Sequence, residues 1–74
     1  MVTKTYLVSF HVNRKIVHVK AGEQLLRNSL SAFGLEGGDE YSYFMQVWNE
    51  EWKEYVDVED KSEVAGRAKL KLIR

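Results

Sequence analysis

Residues 5–12 (Thr-Tyr-Leu-Val-Ser-Phe-His-Val) and 15–20 (Lys-Ile-Val-His-Val-Lys) alternate in character and are rich in β-branched and aromatic types. Such segments suit a pleated strand with one buried face, and the intervening Asn13-Arg14 predicts a hairpin closed by a two-residue turn. Pairing Val12 with Lys15 places Tyr6, Val8, Phe10, Val12, Val17 and Val19 on one apolar face. Thr5, Leu7, Ser9, His11, Ile16, His18 and Lys20 fall on the other, and a slip of one residue would mix the two sets. After Ala21-Gly22 the period changes. Leu26, Leu30 and Phe33 recur at helical spacing with Leu25, Ser29 and Ala32 beside them, which predicts a helix over 23–33. Gly34 is placed to end it in the left-handed conformation, with Leu35 folding back.

Residues 41–48 and 52–58 read as two further strands joined by Asn49-Glu50-Glu51, and 68–73 alternates as a last strand after a polar stretch over 59–67. The predicted order is strand, strand, helix, strand, strand, strand. A helix of about three turns in so short a chain can cover only one face of a single sheet, so the expected class is a two-layer α+β domain spanning residues 1–74.

Composition narrows the possibilities. The chain has 74 residues with no cysteine and no proline, so no disulfide restricts the unfolded state and the 45% hydrophobic content must supply the core. Lack of cysteine fits a reducing compartment. Met1 to Val12 is interrupted by polar residues, and no apolar stretch reaches membrane-spanning length, so the expectation is a soluble intracellular domain, cytoplasmic or nuclear, with no membrane partner. Formal charge is zero, but it is distributed in blocks. Residues 1–35 carry five basic side chains and one acidic, a balance of +4. Residues 36–63 carry two basic and ten acidic, or −8, and residues 64–74 carry four basic and no acidic, or +4.

The element order resembles the β-grasp fold of ubiquitin-like domains over essentially the whole chain. The resemblance implies a mixed sheet in which the last strand lies parallel beside the first, so that the basic blocks share one half of the domain and the acidic block takes the other. Within the acidic block, Tyr55-Val56-Asp57-Val58-Glu59-Asp60-Lys61-Ser62-Glu63 resembles the acidic loop of Phox-and-Bem-type domains and the acidic patch of the N-terminal domains of cell-death-inducing DNA-fragmentation effectors. Those modules associate front to back. The resemblance implies an acidic interaction face of Glu54, Asp57, Glu59, Asp60 and Glu63 within residues 50–63. It implies a basic one of Lys4, Arg14, Lys15 and Lys20 on the first hairpin, which Lys69 and Lys71 of the last strand extend. The partner would be a protein, either another copy or a related β-grasp domain.

A second candidate surface is apolar. Leu7 and Ile16 lie opposite the predicted core, Ile73 is out of phase with Leu70 and Leu72, and either Phe44 with Trp48 or Met45 with Val47 must face outward. Ubiquitin-like domains commonly bind partners through that outer face. Trp48 and Trp52 flank one turn and are expected to stack across it.

Catalytic chemistry finds no support. Ser9 and Ser29 lack a histidine–acid relay, Gly34-Leu35-Glu36-Gly37-Gly38 lacks the Lys-Ser/Thr of a phosphate loop, and a small two-layer domain has little volume for a substrate cavity. His11 and His18 without a cysteine or a neighbouring carboxylate do not make a metal site, and no cofactor is implied. Arg14, Lys15, Lys20, Lys69 and Lys71 could face nucleic acid, but the acidic half would repel phosphates and no basic strand carries a base-stacking motif. The chain ends Leu70-Lys71-Leu72-Ile73-Arg74 and not in the Gly-Gly tail by which ubiquitin-like modifiers conjugate, so as given it is expected not to be a modifier.

Overall fold

The computed structural model describes residues 3–35, 42–58 and 64–74. Five strands and one helix follow the predicted order: β1 (Thr3–Phe10), β2 (Asn13–Lys20), α1 (Leu25–Ala32), β3 (Phe44–Asn49), β4 (Glu54–Asp57) and β5 (Lys69–Ile73). The strands form one sheet in the order β2-β1-β5-β3-β4. β1 and β5 run parallel at its centre, and every other neighbouring pair is antiparallel.

The first hairpin differs from expectation at its turn. Phe10 pairs with Asn13, so the loop is His11-Val12 and not Asn13-Arg14. This register lets all eight residues of β1 pair with all eight of β2, a longer ladder than a turn at Asn13-Arg14 permits. It also sets Tyr6 against Val17 in the core. In return Val12 is 93% exposed and His11 takes φ 54°, a sign that glycine adopts more readily. The displacement is an even number of residues, so the two faces survive it: Tyr6, Val8, Val17 and Val19 are buried as the alternation required. Val12 alone leaves the predicted core set.

The helix begins at Leu25, two residues later than its periodicity suggested, because Glu23 is used in a different way. Its side-chain Oε1 accepts from the Lys20 backbone N–H at 2.8 Å and from Asn28 Nδ2 at 3.3 Å, closing the strand-to-helix turn. These two bonds, the backbone one foremost, hold its carboxyl below the usual carboxylate range. Leu25 and Leu30 are buried, whereas Leu26 and Phe33 are only partly so. Buried Ser29 donates to the Leu25 carbonyl at 2.8 Å. At the other end the Leu35 N–H donates to the Leu30 carbonyl and the Gly34 N–H to Ser31, with Gly34 at φ 71°. This is the paired-bond termination that the glycine foretold, and Leu35 packs back on the core.

The core lies between α1 and one face of the sheet. Val8 and Leu70 are fully buried at its centre, with Tyr6, Val17, Val19, Met45, Val64 and Leu72 around them. Tyr6 donates its hydroxyl to the Val64 carbonyl at 3.1 Å, which ties the segment before β5 to β1. Burial pushes that phenol above its ordinary pKa. Met45 and Val47 turn inward, which settles the choice on β3 and sends Phe44 and Trp48 outward.

Candidate interaction surfaces

Alternation and register together determine what the uncovered face of the sheet carries. Across its middle Ile16 pairs with Leu7 and Leu7 with Lys69. Continuing the β3–β5 register brings Trp48 beside Lys69, and Trp48 pairs with Tyr55. The next row runs Arg14, Ser9, Lys71, Gln46 and Asp57. Phe44 pairs with Ile73 at one end. Ile16 is 58% exposed and Phe44 63%, while Leu7, Trp48, Tyr55 and Ile73 are half-buried.

The aromatic and basic residues on this face are coupled. Trp48 and Tyr55 meet edge to face with ring centroids 5.2 Å apart. The Lys69 ammonium lies 5.9 Å from the Trp48 ring centre, and that of Lys71 lies 5.6 Å from the Tyr55 ring centre. Trp48 Nε1 donates to Glu50 at 3.0 Å, so the rim of the patch also holds the indole in place. Trp52 does not take part: it is 72% exposed in the β3–β4 turn, where its backbone N–H donates to Asn49 Oδ1 at 2.9 Å. The expected Trp48–Trp52 stack is replaced by Trp48–Tyr55. Tyr55 was missed in the sequence, although antiparallel pairing from Trp48 with period two would have reached it.

The basic residues do not form one face. Arg14, Lys20, Lys69 and Lys71 lie on the outer surface by strand parity, whereas Lys4 and Lys15 lie on the helix side. Lys15 donates to the Ala32 carbonyl at 2.8 Å and sits 5.6 Å from the Phe33 ring centre, so it caps the helix C-terminus. Lys4 packs its stem near Gly66. The physical reason is the period of two: adjacent basic residues such as Arg14 and Lys15 necessarily point to opposite faces. Of the acidic set, Glu54 and Asp57 are exposed on β4, also with opposite parity, and Gln46 Nε2 donates to Asp57 at 3.0 Å. Glu59, Asp60 and Glu63 lie outside the described residues.

The histidines are also separated. His11 sits in the turn against Phe10, with ring centroids 4.2 Å apart, while His18 Nδ1 pairs with Thr5 Oγ1 at 3.1 Å on the outer face. Among the described residues no three His, Cys, Asp or Glu side chains cluster as metal ligands, and no helix is long and apolar enough to cross a membrane. An open cleft of about 410 Å³ lies at the end of β3 and β4 beside Ile73, and it holds the Gln46–Asp57 pair.

A mixed sheet with parallel central β1 and β5 strands, packed on one face against the one helix of the described residues and uncovered on the other, defines a ubiquitin-like domain of the β-grasp class. The sequence agrees: residues 4–74 match the family described as the ISOC1 N-terminal ubiquitin-like domain, and the chain belongs to that family. No curated protein matches it.

Proposed function

We propose that the domain is a non-catalytic protein-interaction module that works inside the cell and holds its partner on the outer sheet face. The observation that carries this reading is the row Ile16, Leu7, Lys69, Trp48, Tyr55, in which an aliphatic pair and an aromatic pair lie on either side of Lys69, whose ammonium faces the Trp48 ring. An apolar patch with a rigid aromatic anchor supplies the buried centre that a binding site needs. Arg14, Lys20, Lys69 and Lys71 surround it, against Asp57 as the acid of that face on the described strands. The fitting partner is therefore a protein segment that presents apolar side chains between acidic ones.

The test is titration with a short peptide of leucine and isoleucine flanked by glutamates, followed by Trp48 fluorescence and by amide shifts along β1, β3 and β5. Trp48→Ala is expected to weaken binding by about 30-fold, the effect of removing a central aromatic anchor. Amide shifts confined to α1, or a Trp48→Ala variant that binds as well as the parent, would overturn the reading.

A further inference from the structure

The two edges of the sheet are unlike each other and complementary. The Leu7 N–H bonds to Ala68 and the Arg67 N–H to the Thr5 carbonyl, so odd-numbered residues of β1 face β5 and even-numbered ones face β2. Through the register of the first hairpin, the backbone groups of Arg14, Ile16 and His18 then point away from the sheet. The His18 carbonyl is already taken by Asn28 Nδ2 at 3.0 Å, and Glu23 occupies the Lys20 backbone. Helix α1 thus covers the end of this edge and, among the described residues, leaves 14–17 open. On the opposite edge the Val58 N–H bonds to the Met45 carbonyl, which turns the backbone groups of Tyr55 and Asp57 outward. The open stretch of β2 is as long as β4, which has four residues.

We infer that a second copy of this chain docks edge to edge, its β2 pairing antiparallel with β4 of the first. Strand directions favour this arrangement. β2 runs opposite to β1 and β5, β3 opposite to β5, and β4 opposite to β3, so β4 and β2 of one domain are antiparallel. A copy displaced along the sheet, with its helix on the same side, therefore presents β2 to β4 in antiparallel sense and extends the sheet without inverting it. Registering Ile16 with Tyr55 sets an exposed aliphatic residue beside an aromatic one on the outer face. Arg14 then falls opposite Asp57, and both are exposed. Four backbone hydrogen bonds close the contact, two at each of these pairs. The contact is heterologous, since each copy keeps one free edge of each kind, and repetition produces an open chain of domains. Exposed edges with this much free backbone are the sites at which sheets associate. The contact shares Ile16 and Tyr55 with the outer row, but it rests on their edge backbone and on Arg14 and Asp57, not on Leu7 or Trp48.

Sedimentation of the whole chain up to about 1 mM tests it. The expected result at low salt is a mean mass that rises with concentration and falls back as salt is added. Arg14→Glu and Asp57→Arg are each expected to weaken assembly about tenfold, since each sets like charges opposite one another. The double variant, which restores opposite signs, is expected to recover it, while Leu7→Ser in the middle of the sheet leaves it unchanged. Circular dichroism checks that each variant is folded, and amide exchange should show new protection at Ile16 and Tyr55 in the assembled state. A wild-type chain that stays monomeric throughout overturns the inference. So does assembly that ignores both charge reversals, or that Leu7→Ser abolishes.

Discussion

The two hairpins of this domain are held in different ways. In β1–β2, each strand has eight residues, the loop has two, and the helix side buries Tyr6, Val8, Val17 and Val19 against α1 and β5. In β3–β4, the strands have six and four residues, and Met45 is the one apolar side chain they bury in the core, with Val47 only partly covered. Its organisation lies on the opposite face, in the Trp48–Tyr55 pair and the lysines over it. The first hairpin is fixed by removal of apolar area from water. The second is fixed by cross-strand pairs that remain half in solvent, each worth tenths of a kilocalorie to about 1 kcal/mol. A surface held together in that way can rearrange or be covered by a partner at little cost to the fold.

The largest way to break this contrast is Leu70→Ala. Leu70 is fully buried at the junction of the two halves, and truncation should cost about 3 kcal/mol, lowering the melting temperature of a domain this small by roughly 12–24 °C. Thermal unfolding followed by circular dichroism measures it. A shift of only a few degrees would mean that the core can collapse around the gap.

Trp48→Ala comes next, and it sharpens the comparison because its two effects separate. It should lower stability by about 1 kcal/mol, the scale of an aromatic pair, while binding on the outer face falls far more. Urea unfolding beside peptide titration reads both, and a stability loss as large as that of Leu70→Ala would erase the distinction between the hairpins.

Two polar ties give the smallest effects. Glu23 fastens the first region where β2 enters α1, and its folded-state pKa lies below its unfolded one. Its contribution to stability is therefore present above the unfolded pKa and lost as pH falls through the lower folded value. Glu23→Gln should flatten the acid limb of a plot of urea midpoint against pH, with no new dependence near neutrality. In the second region Lys53 Nζ meets Glu50 Oε2 at 2.9 Å on a well-exposed turn. Lys53→Ala should change stability by less than about 1 kcal/mol, and less still in high salt.

Much of this contrast was legible in the chain before any fold was known. The helix end was written in Gly34-Leu35, and the inward set Tyr6, Val8, Val17 and Val19 followed from alternation even though the turn is displaced by two residues. The outer patch was half legible: Leu7, Ile16 and Ile73 were exposed by their phase, but Trp48 needed a choice between two faces and Tyr55 was overlooked. The basic face misled because blocks of charge were counted along the chain, and a strand sends neighbours such as Arg14 and Lys15 to opposite sides.

The sequence by itself determined the order of elements, the face that each strand residue occupies and the stop of the helix, because all three rest on periodicity and on the conformational limits of single residues. Which strands are neighbours is not written in any local pattern: the β-grasp resemblance implied it, and the tertiary structure decides it. Parallel pairing of β1 with β5 brings Lys69 between Leu7 and Trp48 and Lys71 between Ser9 and Gln46, residues far apart in the chain, and it leaves β2 and β4 at the two edges of the sheet. Those adjacencies come from closing long loops so that Val8 and Leu70 share one core, a condition on the whole chain that no local window contains.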